Sequence, residues 1–366
     1  MQEKVVVYGL GRYYEKYKQY LSSRYHIIGY SDGDRDKAYK CENFYSPENI
    51  KDLDYDLVLI TSRDAAMSII IDCIEKYKIS AEKISVFDGM FFSGFSMSGN
   101  GVKKLLDLGA PRKSIEYFFE RFLVAYDRLN GVIPECVKGG MSLDIGCGPG
   151  NGVAASLAYG GGFAVGVDID LDSHKDAFDT KLLDSMFEIL NIPQTKKLLV
   201  EMDVFKSRFM PNSFDYVTMF DSVEHIPDIP FFFQWAYSSL KKGGYILVDT
   251  LPLYYSPRGH HLWPTFTEEN FPWVHLRKDF EELCTSAGLN VNREWLSKYL
   301  NKATHQMILN YLTEAGFKIE YEHRDNVNTN PGWYEMYLKE KDNLELDGID
   351  ESWLFEARII LLGRKL

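Results

Sequence analysis

The chain has 366 residues, 45% of them hydrophobic and 14% aromatic, and a formal net charge of −12. That length suits two domains, each with its own core, and so acidic a balance excludes wholesale binding to the phosphate backbone of nucleic acid. The five cysteines (Cys41, Cys73, Cys136, Cys147, Cys284) are scattered and odd in number, and no apolar run reaches bilayer length. Composition thus argues against a disulfide framework, a zinc site and a membrane span, and fits a cytoplasmic protein. Met1 leads straight into the first strand, with no signal-peptide pattern before it.

Residues 4–8 (Lys-Val-Val-Val-Tyr) predict a short β-branched strand, Gly9-Leu10-Gly11 a turn and residues 13–21 a helix. Strands follow at residues 26–32, ending in Asp32, at 56–61 and at 83–87. Alternating strands and helices imply a parallel sheet with right-handed crossovers. Residues 1 to about 90 resemble the small dinucleotide-binding-like domains fused to bacterial sugar-modifying and polysaccharide-biosynthesis enzymes. The pattern departs at Tyr14, which stands at the third glycine of Gly9-x-Gly11-x-x-Gly. That glycine normally lets the helix pack close over a pyrophosphate. Two readings stay open: a nucleotide or nucleotide-sugar site using Gly9, Gly11 and Asp32, or a module for docking or homo-oligomer formation that kept the fold without the ligand. The first domain is placed at residues 1–95.

Residues 96–135 read as a helical connector. The Gly-, Ser- and Met-rich stretch 91–101 reads as a loop. Residues 114–129 carry Ile115, Phe118, Phe119, Phe122, Leu123 and Tyr126 at helical spacing, which predicts a packed helix that can also serve as a cofactor lid.

Residues 142–152 (Ser-Leu-Asp-Ile-Gly-Cys-Gly-Pro-Gly-Asn-Gly) are the most informative stretch of the chain. A short apolar strand runs into Gly146, Gly148 and Gly150, where a backbone free of Cβ atoms can turn tightly against a ligand. A second strand at 163–168 ends in Asp168, 22 positions after Gly146, where an acid can take ribose hydroxyls at the carboxyl edge of a wound sheet. Asp170 competes for that role; period-two alternation puts both acids on one face, and position just after the strand favours Asp168.

The pattern Asp144-x-Gly146-x-Gly148-x-Gly150 resembles motif I of class I S-adenosylmethionine-dependent methyltransferases. Four further segments resemble that family in its own order. They are Glu201-Met202-Asp203-Val204, Asn212-Ser213-Phe214-Asp215, Asp221-Ser222-Val223-Glu224-His225-Ile226, and Leu240-Lys241-Lys242-Gly243-Gly244. The resemblance covers residues 136 to about 325 and implies S-adenosylmethionine as cofactor. It implies that Asp144 orients the glycine loop and the methionine amino group, that Asp168 takes the ribose, and that Asp203 meets the adenine amine beside the Val204 N–H. Cys147, Ile169, Phe220 and Asp221 are the remaining candidate cofactor contacts. The cofactor has no phosphate and a cationic sulfonium, and the glycine loop accordingly holds no Lys or Arg.

The second domain is placed at 136–366, a fold that ends in an antiparallel hairpin formed by residues 317–322 and 357–362. A crossover helix is expected at 303–315. Two insertions, at about 253–300 and 326–353, suit a substrate cap. The fold class expected is therefore α/β with two doubly wound sheets, an N-terminal Rossmann-like domain and a C-terminal methyltransferase fold with an inserted cap.

Transfer to an alcohol needs a base, whereas an amine acceptor needs only to be neutral. Three histidines are candidates: His225 after the fourth strand, and His260 and His261 opening the first insertion. His260 or His261 is the first choice and His225 the second; a carboxylate such as Asp221 or Glu224 is the alternative to a histidine. Arg258 can hold an anionic acceptor. The His260-His261 pair is also half of a metal site, but sequence signposts no third ligand, so no metal is expected. The reading is methyl transfer, O-methylation favoured, to a small molecule such as a sugar nucleotide or glycan precursor. An NAD-linked oxidoreductase working through the first domain, or a non-catalytic binder of S-adenosylmethionine, are the alternatives.

Overall fold

The computed structural model describes residues 2–92, 94–171, 180–263, 265–326 and 330–366. Two compact units are present. One comprises Met1–Leu129 with Gly148–Gly160 and Asp170–Lys197, and the other Asn130–Cys147, Gly161–Ile169 and Leu198–Leu366.

In the first unit the apolar runs form β1 (Lys4–Tyr8), β2 (His26–Ser31), β3 (Leu57–Ile60) and β4 (Ile84–Val86), interleaved with α1 (Arg12–Arg24) and α2 (Ala66–Glu75). The sheet order is β2-β1-β3-β4 and all pairs are parallel, as the alternation of strands and helices implies. Val5, Val6, Val7, Val58 and Ile60 are fully buried along its centre. The stretch read as a loop is partly helical: α3 spans Gly99–Asp107. Ser98 caps it, accepting from the Gly101 N–H at 3.4 Å, and Val102 and Leu105 bury one face, which outweighs the poor helix propensity of its glycines. α4 (Arg112–Val132) follows, with Ile115, Phe118, Phe119 and Phe122 on its buried side. This unit also holds α5 (Asn151–Ala158) and α6 (Thr180–Ile189). Lys104 of α3 pairs with Glu188 of α6 at 2.6 Å, and the Asn191 amide donates to the Gly94 carbonyl at 2.6 Å.

The second unit carries a seven-stranded sheet. Its strands are β5 (Met141–Ile145), β6 (Phe163–Asp168), β7 (Lys197–Glu201), β8 (Phe214–Phe220), β9 (Leu240–Thr250), β10 (Phe317–Arg324) and β11 (Ile359–Lys365). The order is β10-β11-β9-β8-β5-β6-β7, with β9, β8, β5 and β6 parallel and β11 antiparallel to both neighbours. The expected hairpin is therefore β10–β11. The parallel strands put the carboxyl ends of β5, β6, β8 and β9 on one edge, where loops, not strands, provide the chemistry. α7 (Ile229–Ser239) and α10 (His305–Glu314) share a core with the sheet through Phe232, Phe233, Ile308 and Leu312.

The two insertions, far apart in sequence, form one body. α8 (Phe280–Ser286) and α9 (Arg293–Tyr299) come from the first, α11 (Gly332–Glu340) from the second. Trp273, Val274, Phe280 and Leu296 share one apolar cluster with Trp333, Tyr337, Leu344 and Leu354. Trp273 Nε1 donates to the Leu354 carbonyl at 3.1 Å, and Glu345 N–H to the Leu276 carbonyl at 2.7 Å. Residues 327–329, within the second insertion as read from sequence, lie outside the described residues. Among the described residues no helix is long and apolar enough to cross a membrane.

Candidate active site

The glycine motif begins where β5 ends. Gly146 has φ +68°, and a Cβ there would sit 2.7 Å from the Ser222 Cβ, so only glycine fits. Gly148 and Gly150 have φ +48° and +88°, and Gly150 caps α5. The carboxyl edge is knitted by main-chain bonds. Gly146 and Cys147 N–H both donate to the Val167 carbonyl, at 2.9 and 3.0 Å, and Met202 N–H to the Asp168 carbonyl at 2.8 Å. Ser222 Oγ donates to the Ile145 carbonyl at 3.0 Å, tying the end of β8 to that of β5.

Asp144 is buried, its Oδ1 accepting from Thr218 Oγ1 at 2.8 Å. Burial pushes its carboxyl up to about 7; the Thr218 bond pulls it down and the charge of Asp168 pushes it up again. Burial also pushes the Cys147 thiol up, so that side chain is an inert wall. Asp168 is half-buried at the tip of β6, while Ile169 beside it is 69% exposed, a large apolar side chain left bare. Asp203 accepts from Phe205 N–H at 2.9 Å and lies 2.9 Å from Lys206 Nζ; the lysine and that backbone donor hold its carboxyl below the usual range. Val204 is buried in the same turn, in the sheet core. Phe220 is half-buried at the end of β8. Asp221, in the left-handed region at φ +47°, accepts from Leu251 N–H at 2.8 Å, so it serves first to join β8 to β9.

The structure separates the three histidines. His260 is fully buried among Trp263, Phe266 and His275. Its Nδ1 accepts from Leu262 N–H at 3.0 Å, and burial drives the ring down to about 3. Gly259 makes that placement possible: a Cβ there would lie 1.8 Å from the Tyr254 carbonyl oxygen. His261 has partly different neighbours. Its backbone is left-handed at φ +53°, its ring stacks on Trp263 at 5.5 Å and meets the His225 ring edge-on at 5.2 Å. Burial, with His225 next in effect, pushes it down to about 4, so it is a neutral imidazole at physiological pH. His225 is exposed, and its Nδ1 donates to the Tyr299 carbonyl at 2.9 Å.

The short turn that bears His225 is held from the insertion. Asn301 N–H donates to the Glu224 carbonyl at 2.8 Å, and its side-chain amide to the Val223 and Ile226 carbonyls at 2.7 and 2.9 Å. Glu224, which sequence offers only as an alternative to a histidine base, is 2% exposed, hydrogen-bonded to Thr250 Oγ1, and brought together with His225 and His261. Its signal was adjacency: an acid beside a histidine in a tight turn. Arg258, considered for an anionic acceptor, pairs with Glu268 at 2.6 Å instead.

In the first unit the acid of the dinucleotide-like pattern is occupied. Asp32, 7% exposed, accepts from Leu10 N–H at 2.6 Å and Asp34 N–H at 2.9 Å and pairs with Lys37 at 3.0 Å. Tyr14 is buried against Tyr30, ring centres 5.7 Å apart.

Comparison with known proteins adds the following. Residues 117–294 match the family model described as a methyltransferase domain, and residues 1–85 the model described as C2185-like, N-terminal. Phosphoethanolamine N-methyltransferase 2 of Caenorhabditis elegans is 25% identical over 206 residues, which is 55% of this chain and 45% of that relative. The chain thus spans under half the length of that relative. Among solved structures, an S-adenosylmethionine-dependent methyltransferase from Mesorhizobium loti is 18% identical, covering 66% of this chain and 99% of that one, with a TM-score of 0.40. Geranyl diphosphate C-methyltransferase from Streptomyces coelicolor is 13% identical, covering 67% and 80%, also at 0.40. The donor set fits the cofactor: carboxylates and bare apolar surface, with no cation in the glycine loop for a phosphate. The sheet order, the edge it builds and the family match together identify a class I methyltransferase domain in this chain, with S-adenosylmethionine as its cofactor.

Proposed function

We propose that the protein transfers a methyl group to a hydroxyl of a small polar molecule, with sugar nucleotides and glycan precursors as the acceptor class. The observation that supports the hydroxyl is the His225–His261 pair, rings 5.2 Å apart, with His225 held beside the carboxyl edge by Tyr299 and its turn by Asn301. An amine already in its neutral form would need no base. The glycan class rests on the resemblance of the first domain alone. We place the working division at residues 1–95, 96–135 and 136–366.

When bound, the cofactor supplies an electrophilic methyl on a cationic sulfonium. Asp144 would hold the methionine ammonium, the Gly146–Gly150 backbone would lie against the cofactor, Asp168 would take the ribose hydroxyls, and Ile169, 69% exposed, would offer it apolar surface. Asp203 would meet the adenine amine, beside the Val204 N–H. Cys147, Val204, Phe220 and Asp221 shape the walls. The cap would cover the acceptor, and His225 and His261 would act on its oxygen. The chain's main contribution is alignment for in-line displacement.

Asp168→Ala is expected to weaken binding of S-adenosylhomocysteine by about 1.5–3 kcal/mol, the scale of a hydrogen bond to a charged group. Calorimetry on the full chain checks this; unchanged affinity removes Asp168 from the site. NADH added to the full chain saturated with S-adenosylhomocysteine should not bind, because Asp32 is engaged and Tyr14 fills the third glycine position. Micromolar binding would restore the oxidoreductase reading.

Methyl transfer itself is tested with isotope-labelled cofactor and a panel of sugar nucleotides, with phosphoethanolamine as the amine control. A second reading, an amine acceptor, is favoured by the name of the Caenorhabditis elegans relative. An N-methylated product from the amine with no O-methylated sugar selects it. No transfer to any hydroxyl or amine acceptor, with cofactor bound, selects the non-catalytic alternative.

A further inference from the structure

We propose that Glu224, His225 and His261 form a binding site for a divalent first-row transition metal ion, beside the cofactor edge. The three ligand-bearing atoms lie within 4.8 Å of one another. They come from distant parts of the chain, two on the turn after β8 and one from the cap. Bonds of about 2.1 Å at tetrahedral angles set ligand atoms about 3.4 Å apart, so a pair at the 4.8 Å limit has to close by about 1.4 Å, within the reach of side-chain rotation.

Four features point to a ligand rather than a chance cluster. In the neutral ring, His225 Nδ1 donates to the Tyr299 carbonyl, which fixes the tautomer and leaves the lone pair on Nε2, the usual outer support of a metal-bound imidazole. His261 Nε2 is buried and has no hydrogen-bond partner, an arrangement that costs free energy unless something accepts its lone pair. Glu224 is oriented by Thr250 Oγ1, as a ligating carboxylate commonly is. Asn301 pins the turn through three hydrogen bonds to its backbone, so the first two ligands are preorganised.

The chemistry of the set selects the ion. Two imidazoles and one carboxylate suit Mn²⁺, Fe²⁺, Co²⁺ or Zn²⁺ rather than Mg²⁺ or Ca²⁺, which prefer all-oxygen sites. Three protein ligands leave positions open, the mark of a site that takes an oxygen of a substrate. The ion would thus bind an acceptor hydroxyl and make its proton easier to lose. That role rests on the methyltransferase reading above; the binding of the ion does not.

The test uses the full chain without a polyhistidine tag, stripped with chelator and dialysed. Titration with Co²⁺, followed by visible absorption and calorimetry, is expected to show one ion per chain, displaced by Zn²⁺. His261→Gln and Glu224→Gln should each weaken Co²⁺ binding by about 10-fold to 100-fold or more. Circular dichroism and S-adenosylhomocysteine binding, measured on the same samples, should stay at wild-type values for His261→Gln, the variant whose partly exposed side chain is least needed for folding. Absence of a stoichiometric Co²⁺ site in the stripped wild type overturns the proposal. So does unchanged Co²⁺ affinity in a folded His261→Gln. Loss of S-adenosylhomocysteine binding in the wild type, with Co²⁺ still bound, would sink the cofactor reading and leave the metal site standing.

Discussion

His261→Ala is expected to lower turnover by about 100-fold or more on the true acceptor, the scale set by a positioned group that handles the acceptor's proton. Affinity for S-adenosylhomocysteine should stay within about twofold, because the proposed role puts His261 on the acceptor side, on the cap segment and not on the glycine loop. The neighbouring residue supplies the control. His260 is fully buried among aromatic rings and held by the Leu262 N–H. Its replacement by Ala opens a cavity and should cost about 2 kcal/mol or more of stability, seen as a lower Tm. Turnover per folded molecule should change only a few-fold. The opposite pattern, with His260→Ala inactive and His261→Ala normal, would return the acceptor role to the buried histidine and remove the pair with His225.

That contrast shows what sequence can and cannot separate. His260 and His261 are adjacent and chemically identical, and no periodicity operates in a loop. Their fates diverge through backbone geometry: a left-handed residue at φ +53° after a glycine that alone fits against the Tyr254 carbonyl. Neither feature has a composition signature. By contrast, the strand, glycine turn, strand and acid from Ser142 to Asp168 were legible, because each local need has its own residue type: β-branched or apolar residues to be buried, glycine for positive φ, an acid just past the strand. The hairpin formed by β10 and β11 was legible for the same reason.

Helix α3 was missed because Gly99 and Gly101 are breakers by propensity, and only the tertiary packing of Val102 and Leu105 overrides them. The single body made from the two insertions was missed because nothing local links Trp273 to Leu354, 81 residues on. Sequence places Glu224 behind the histidines, as an alternative base interchangeable with Asp221. Its importance depends on His261 arriving from the cap, a meeting that only the fold creates.

Affinity for S-adenosylmethionine is expected to rise about 100-fold between pH 5 and pH 7 and then level off. The cause is Asp144. Burial raises its carboxyl to about 7 in the ligand-free protein, from an ordinary value of 3.8. A group whose folded pKa is raised adds stability below its unfolded pKa and loses that contribution as pH rises toward the folded value. The ligand-free protein should therefore lose a few kcal/mol of stability from this group between about pH 4 and pH 7, at about 1.4 kcal/mol per unit, with no further loss above. The methionine ammonium acts in the other direction. A cation beside a buried carboxylate favours its charged form, so binding below pH 7 must expel the proton first, at a tenfold loss of affinity per pH unit. Asp144→Asn separates the two effects. It keeps a hydrogen-bonding partner for Thr218 but carries no charge, so it should bind the cofactor weakly with a much flatter pH profile. Above pH 7 it should also melt higher than the wild type without ligand. Calorimetry of both proteins from pH 5 to pH 8, with folding followed by circular dichroism, reads each prediction separately. A wild-type affinity that stays constant over that range, in protein that stays folded, would mean that the ammonium is held elsewhere and that Asp144 serves only to brace β5 against β8 through Thr218.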